Sequence, residues 1–442
     1  MIERGRARRT VPAALALAAL LATCPARALA EDMPAGAPPG AALRPTGPAA
    51  PAEEGEPVGK VATLPRQAGP HWFWVSDSML HRTSLFDADR GAMLGTITAG
   101  APGSGFIILP NTPSDRHAIY IPETYFSRGV RGERTDVVTA YDPTTLQPSG
   151  EIPIPAKRAE YFPGVHSSTL TDDGRFLVVF DVAPAQSVTV VDTALSRMVT
   201  EIPTPACSLV YPDGPRRFFM LCANGEALVL TLAEDGTLAS EKRTERFFDA
   251  EQDPMTEKGA RRGDEWFFSS FDGLLHSIDA SGDTPRFGPT WSLLSDAERK
   301  EGWRIGGSQH TAIHAPTGRL YTLMHRGRGK DTHKEPGTEI WVYDLERRER
   351  VQRIPVRNPI TAFVRSQAGL GNGALVRGLW WTLDRILPNP GANGLLVTQD
   401  ADPALMVLSL IPPAVSVHDA RTGAFLRDVS EPGLALGLLA PP

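Results

Sequence analysis

The chain has 442 residues, 41% of them apolar and 22% charged, with 45 Lys and Arg against 51 Asp and Glu, a formal net charge of −6. That balance argues against a nucleic-acid partner, because no basic stripe reverses it. Beyond the first thirty residues no segment reaches the ~18 apolar residues that a membrane helix needs, and the longest candidate, "ALMVLSLIPPAV" at 404–415, is broken by two prolines.

Residues 1–30 read as a secretory signal peptide. Arg4, Arg6, Arg8 and Arg9 form a basic start, 11–22 an apolar stretch too short to span a bilayer, and Ala28-Leu29-Ala30 a small-residue cleavage site. A lipoprotein site at Cys24 is the weaker alternative, since Thr23 is a poor residue just before a modified Cys. Cleavage after Ala30 removes five Arg and one Glu and leaves 40 basic residues against 50 acidic. Export is therefore expected. Residues 31–70 follow as an N-terminal arm, and their Pro, Ala and Gly content over 31–56 cannot bury a core.

From about residue 71 to 442 the pattern is short β-branched and aromatic runs between Asp, Pro and Gly turns, with little helical signal. A repeat emerges: "TSLFDADRGAMLGTI" (83–97), "DVVTAYDPTTLQPSGEIPI" (136–154), "SVTVVDTALSRMVTEIP" (187–203) and "EALVLTLAEDGTLASEK" (226–242) are strand–turn–strand units, most with an Asp-led turn. "LLHSIDASGDTPRFG" (274–288), "TEIWVYDLERRERVQRIP" (338–355) and "PAVSVHDARTGAFLRDV" (413–429) complete seven. All-strand repeats of this size predict an all-β fold, a seven-bladed β-propeller in one domain; a sandwich or β-helix suits units of this length less well.

With Cys24 lost to cleavage, Cys207 and Cys222 remain, fifteen residues apart around the Pro-Asp-Gly turn at 212–214. They read as a hairpin-closing disulfide, worth roughly 3 kcal/mol by chain entropy. His310 and His314 in "SQHTAIH" lack a carboxylate at metalloprotease spacing, and satisfied core or surface histidines are the commoner outcome, so no metal is expected. His325 and His333 bracket the charged stretch "RGRGKDTHKEPG", which reads as a solvated rim loop. "GSGF" (103–106) and "GLGNG" (369–373) lack the strand-to-helix context of a nucleotide loop, and there is no Gly-x-Ser-x-Gly elbow. Trp72 and Trp74 share a strand face and read as packing residues. Without an evident catalytic constellation, a scaffold or partner-binding chain is favoured.

Three long stretches carry a family resemblance: "YFSRGVRGERTDVVTAYDPTTLQPSGEIPIP" (125–155), "LSDAERKEGWRIGGSQ" (294–309) and "DTHKEPGTEIWVYDLERRERVQRIP" (331–355). They resemble the heavy chain of methylamine dehydrogenase and the large subunit of aromatic amine dehydrogenase over about residues 70–362. The resemblance implies a seven-bladed propeller with a single disulfide at Cys207 and Cys222. It also implies a periplasmic assembly of two heavy and two light chains that oxidises a primary amine to aldehyde and ammonia. The cofactor, tryptophan tryptophylquinone, would then belong to the light chain, leaving no catalytic residue in this chain, and electrons would pass to a blue copper protein or a cytochrome.

Phe106, in "GFIILPNTP", is the candidate for the family's substrate-channel Phe, with two extra residues before Leu-Pro-Asn; a buried blade residue is the alternative. Arg128, Arg131, Glu133, Arg134 and Asp136 are candidates for the light-chain interface, because Arg pairs bidentately with carboxylates; an intramolecular salt-bridge loop is the competing reading. Residues 363–412, rich in apolar groups at Trp380, Trp381, Leu383 and Ile386, are longer than the family's connection into the last blade and read as a lid, a docking patch or an altered blade. A stand-alone binding propeller and a single-chain lactonase-like enzyme are the alternative functions.

Overall fold

The computed structural model describes residues 63–439, apart from 78, 102–107, 160–163, 283, 328, 330–331, 369–373, 430–431 and 434. The signal peptide, most of the arm and Phe106 lie outside the described residues.

Seven antiparallel sheets form the expected propeller. Blade 1 joins Trp72–Asp77, Arg82–Asp87 and Ala92–Thr98 to the C-terminal strand Ala435–Leu439. Blade 2 contains Ile119–Phe126, Arg134–Tyr141 and Pro148–Ile154 as its second, third and fourth strands, with Asn111 bridged to Tyr120 in the first position; blade 3 runs from Ser168 to Pro203 and blade 4 from Cys207 to Arg243. Blade 5 spans Ala260 to Ser292, blade 6 Trp303 to Pro355 and blade 7 Gly394 to Val429. Apolar clusters fill every blade-to-blade interface, and the one between blades 7 and 1, built on Met406, Leu408, Phe73 and Phe86, closes the ring.

A blade is covered on both faces by its neighbours, so its middle strands need apolar residues at every position rather than alternate ones. "FLVVFD" (Phe176–Asp181) and "SVTVVD" (Ser187–Asp192) are buried throughout, whereas the outer strand of blade 4, "LASEKR" (Leu238–Arg243), is exposed throughout and protects its free edge with charge. The Asp ending the third strand organises the following turn: Asp142 Oδ1 accepts from the Thr144 and Thr145 amides (both 2.8 Å), and Asp344 and Asp419 do the same for Glu346 with Arg347 and for Arg421 with Thr422. Cys207 and Cys222 sit opposite each other on the first two strands of blade 4 and are joined by a disulfide.

Helices interrupt this plan in the connections between blades. Helix α1 (Asp296–Lys300) opens with a capping box from Ser295 and Glu298. Helices α2 (Pro359–Ala368) and α3 (Ala374–Ile386) occupy the connection between blades 6 and 7, in a stretch where the sequence showed little helical signal. The segment 363–412 thus holds most of this helical pair and also the first two strands of blade 7, Gly394–Val397 and Ala404–Leu410.

Candidate partner-docking face

First strands of neighbouring blades lie side by side around the axis. Each chain therefore descends on its first strand and returns on its second, so the turns between second and third strands all emerge on one face of the ring. On four consecutive blades, 7, 1, 2 and 3, those turns carry exposed apolar side chains: Ile411 (80% exposed), Met79 (68%) with Leu80, Val130 (64%) and Val182. Large apolar groups at consecutive hairpin tips are the composition of a surface that meets a partner.

The blade 2 turn contains the Arg-rich stretch, and the structure divides its charged residues into two sets. Arg134 lies at the base, donating from Nε and Nη2 to the two oxygens of Asp136 (2.8 and 2.7 Å) and from Nη2 to the Arg158 carbonyl (2.9 Å). Asp136 is buried and also accepts from Thr124 Oγ1 and the Arg158 amide. Arg128, Arg131 and Glu133 are exposed around the tip with Val130. The tip is shaped by backbone bonds from Ser127 N to Glu133 O and from Arg128 N to Arg131 O, and by Gly132 at φ 103°, where a Cβ would run into Ser127 Oγ.

A polar network below the tips ties blade 2 to blade 3. Arg158 Nε donates to Thr124 Oγ1 (2.9 Å), and Lys157 Nζ bridges both oxygens of Glu201 (2.7 and 2.8 Å) while its carbonyl accepts from Val182 N. Asp181 is fully buried, accepts from Thr189 Oγ1 (2.7 Å), and is pushed up to about 6, chiefly by burial. On the other face of blade 2, buried Glu123 accepts from Tyr125, Tyr141 and Thr139, and burial with the nearby carboxylate raises both phenols. Sequence reading missed Glu123, Arg158 and Asp181. The available signal was an acid inside or ending an otherwise apolar strand ("IYIPETYF", "FLVVFD").

The histidines are structural. His310 is buried between Ser269 Oγ (2.9 Å) and the Gly307 carbonyl (3.1 Å), and burial lowers it to about 3; His314 is held by Thr317 Oγ1 and the Asp400 carbonyl. The rim-loop expectation is corrected for His325. The strand Arg319–Arg326 carries it into a pairing with Trp303–Ile305, where it is 3% exposed. His333 stacks on Phe271, centroids 3.8 Å apart. Among the described residues no three His, Cys, Asp or Glu gather at metal-binding reach. Trp74 is buried and Trp72 packs beside it between blades 1 and 2.

Residues 74–372 match the family profile described as methylamine dehydrogenase heavy chain, a match that stops before α3 and blade 7. The methylamine dehydrogenase heavy chain of Methylorubrum extorquens is 27% identical over 353 residues, covering 79% of this chain and 76% of its own. The one from Methylophilus methylotrophus is 27% identical over 388 residues, covering 86% and 85%. In fold alone, the β-propeller domain of Cps50 (Swd1) from Myceliophteria thermophila superposes with TM-score 0.50 at 8% identity, over 79% of this chain and 93% of that one.

Proposed function

Because the chain belongs to the methylamine dehydrogenase heavy-chain family, we propose that it is the large, non-cofactor-bearing subunit of a periplasmic quinoprotein amine dehydrogenase. In this reading two copies assemble with two small light chains. The complex oxidises a primary amine to an aldehyde and ammonia and hands two electrons to a blue copper protein or a cytochrome.

The observation that carries the reading is the run of exposed apolar tips on blades 7, 1, 2 and 3. Covering Ile411, Met79, Leu80, Val130 and Val182 with a small chain removes apolar surface from water at about 25 cal/mol per Å². Arg128 and Arg131 beside Val130 supply planar donors for carboxylates on that chain and set its register. Arg134, Asp136 and Arg158 act beneath them by holding the hairpin in place. Tryptophan tryptophylquinone, carried by the light chain, would supply the two-electron chemistry. This chain's part is to seat that partner and to limit access of water to the covered face.

The indoles of Trp303 and Trp341 fit a structural role. Trp303 and Trp341, with centroids 5.0 Å apart, are buried in the core between blades 5 and 6 under the guanidinium of Arg353. Phe106 remains the proposed channel residue, in the connection from blade 1 to blade 2.

Purification from the native periplasm tests the reading. The expected result is a co-purifying small chain and a visible absorption band that a primary amine bleaches. A colourless, solitary propeller from induced cells overturns it.

A further inference from the structure

A cavity of about 630 Å³ opens between α2, α3 and blades 6 and 7. Its walls include Arg357 and Arg365, Trp380 and Asp384 from the helical pair, and His418 and Phe425 from blade 7. The volume lies in the range of small-molecule sites, and six of the fourteen lining residues, Trp380 and Asp384 among them, lie beyond the family match.

Two donors on the wall have no acceptor. Trp380 is only 6% exposed, yet its indole Nε1–H is buried and unpartnered, as is Nε of Arg357. Elsewhere on the Arg357 guanidinium, Nη2 lies 3.2 Å from Asp428 Oδ2, and the planar face rests 3.8 Å from the centre of Phe425. Buried N–H groups without partners are costly and rare, and two on residues that line one cavity call for an acceptor that the described residues do not provide.

The chemistry of the donors defines that acceptor. The charged groups around the cavity are Arg357, Arg365, Asp384 and Asp428, with Glu339 on the blade 6 side bound to Arg353 and Trp341. His418 is kept neutral by burial, its ring nitrogens within reach of the Gly423 carbonyl and Ser416 Oγ. Burial raises Asp428 in spite of its two arginine neighbours; two arginines balance two aspartates here, and the unpartnered donor among the charged groups is a guanidinium Nε, which pairs best with a carboxylate.

We propose that this cavity binds a small organic carboxylate, which accepts from Arg357 Nε and Trp380 Nε1 and lays its apolar part among Trp380, Val356 and Phe425. The proposal does not depend on a light chain, because every group in it belongs to this propeller.

Isothermal titration of the purified full chain with sodium benzoate, sodium acetate and sodium phosphate in turn tests it. At least one carboxylate is expected to saturate with Kd at or below ~1 mM. Trp380→Phe keeps the ring and removes the donor, and should weaken that binding about five- to tenfold. Arg357→Lys keeps the charge but loses the fork, and should abolish it. Saturation by phosphate alone overturns the carboxylate assignment. Absence of saturable heat with all three anions, or affinity unchanged in both variants, overturns the site.

Discussion

Gln309 holds Leu438 by both of its backbone groups. Its Nε2 donates to the Leu438 carbonyl (2.8 Å) and its Oε1 accepts from the Leu438 amide (3.0 Å), so one side-chain amide acts as a short extra strand beside the C-terminal strand. That strand belongs to blade 1, while Gln309 lies in blade 6, and its own backbone bonds Asn393 and Leu395 in blade 7. Three blades meet at this residue. A propeller closed by its last strand is most vulnerable where that strand can peel away, and Gln309 guards that point.

Gln309→Ala should therefore destabilise the chain by about 1–3 kcal/mol, because two buried backbone groups lose their partners. Gln309→Glu should cost at least as much, since a carboxylate cannot donate to the Leu438 carbonyl. Denaturant unfolding measures both. A Glu variant as stable as wild type would remove the clamp role.

The blade count was legible because a blade repeats the same demands around the ring: two largely buried middle strands, a more exposed outer strand and, in most blades, an Asp that closes a turn. Asp142, Asp344 and Asp419 mark the same place in three blades, so the repeat could be read without any contact known. Helices α2 and α3 were not read, because Gly378 and the prolines after Ile386 mask a helical pattern in which Val376, Trp380, Leu383 and Leu387 turn inward while Leu375, Leu379 and Ile386 face out. The pairing of Arg134 with Asp136 could be read, since residues two apart on a strand share a face. Their joint partner Arg158 could not, because it is brought in from the next connection along the chain. Glu123 and Asp181 stood out only as acids in otherwise apolar strands, and their partners could not be read, because blade packing alone makes their burial tolerable.

Under the proposed docking of a light chain, the division of the blade 2 hairpin into base and tip assigns folding to the base and partner binding to the tip. Val130→Asp, at the exposed tip, should lower light-chain retention about tenfold, the effect of 1.4 kcal/mol, with the melting temperature unchanged. Arg134→Ala should do the reverse at first order, costing about 2–3 kcal/mol of stability by stripping buried Asp136 of its charged donor. Retention of the partner in a pull-down, alongside thermal unfolding of the isolated chain, gives the two readouts. A tip variant that melts early while keeping its partner would refute this assignment of the hairpin.

Asp181 gives the chain a pH dependence whose sign is set by burial. Its carboxyl, pushed up to about 6 from an ordinary 3.8, keeps its proton in the folded state over an interval in which the unfolded chain has released it. The native state binds more protons between about pH 4 and 6, so this group's stabilisation is complete below pH 4 and is lost as pH rises through 6. Moving the carboxyl from 3.8 to about 6 corresponds to at most ~3 kcal/mol by neutral pH. Asp213, pushed up to about 7 by burial, acts in the same direction, so the raw profile of the wild type contains both. The difference between wild type and Asp181→Asn isolates one of them. The variant should match wild type near pH 4 and exceed it by up to ~3 kcal/mol near pH 7.5, because a neutral amide has no charge to bury. Urea unfolding at the two pH values measures this, and a stability difference that stays constant across the range would show that Asp181 ionises freely in the folded chain.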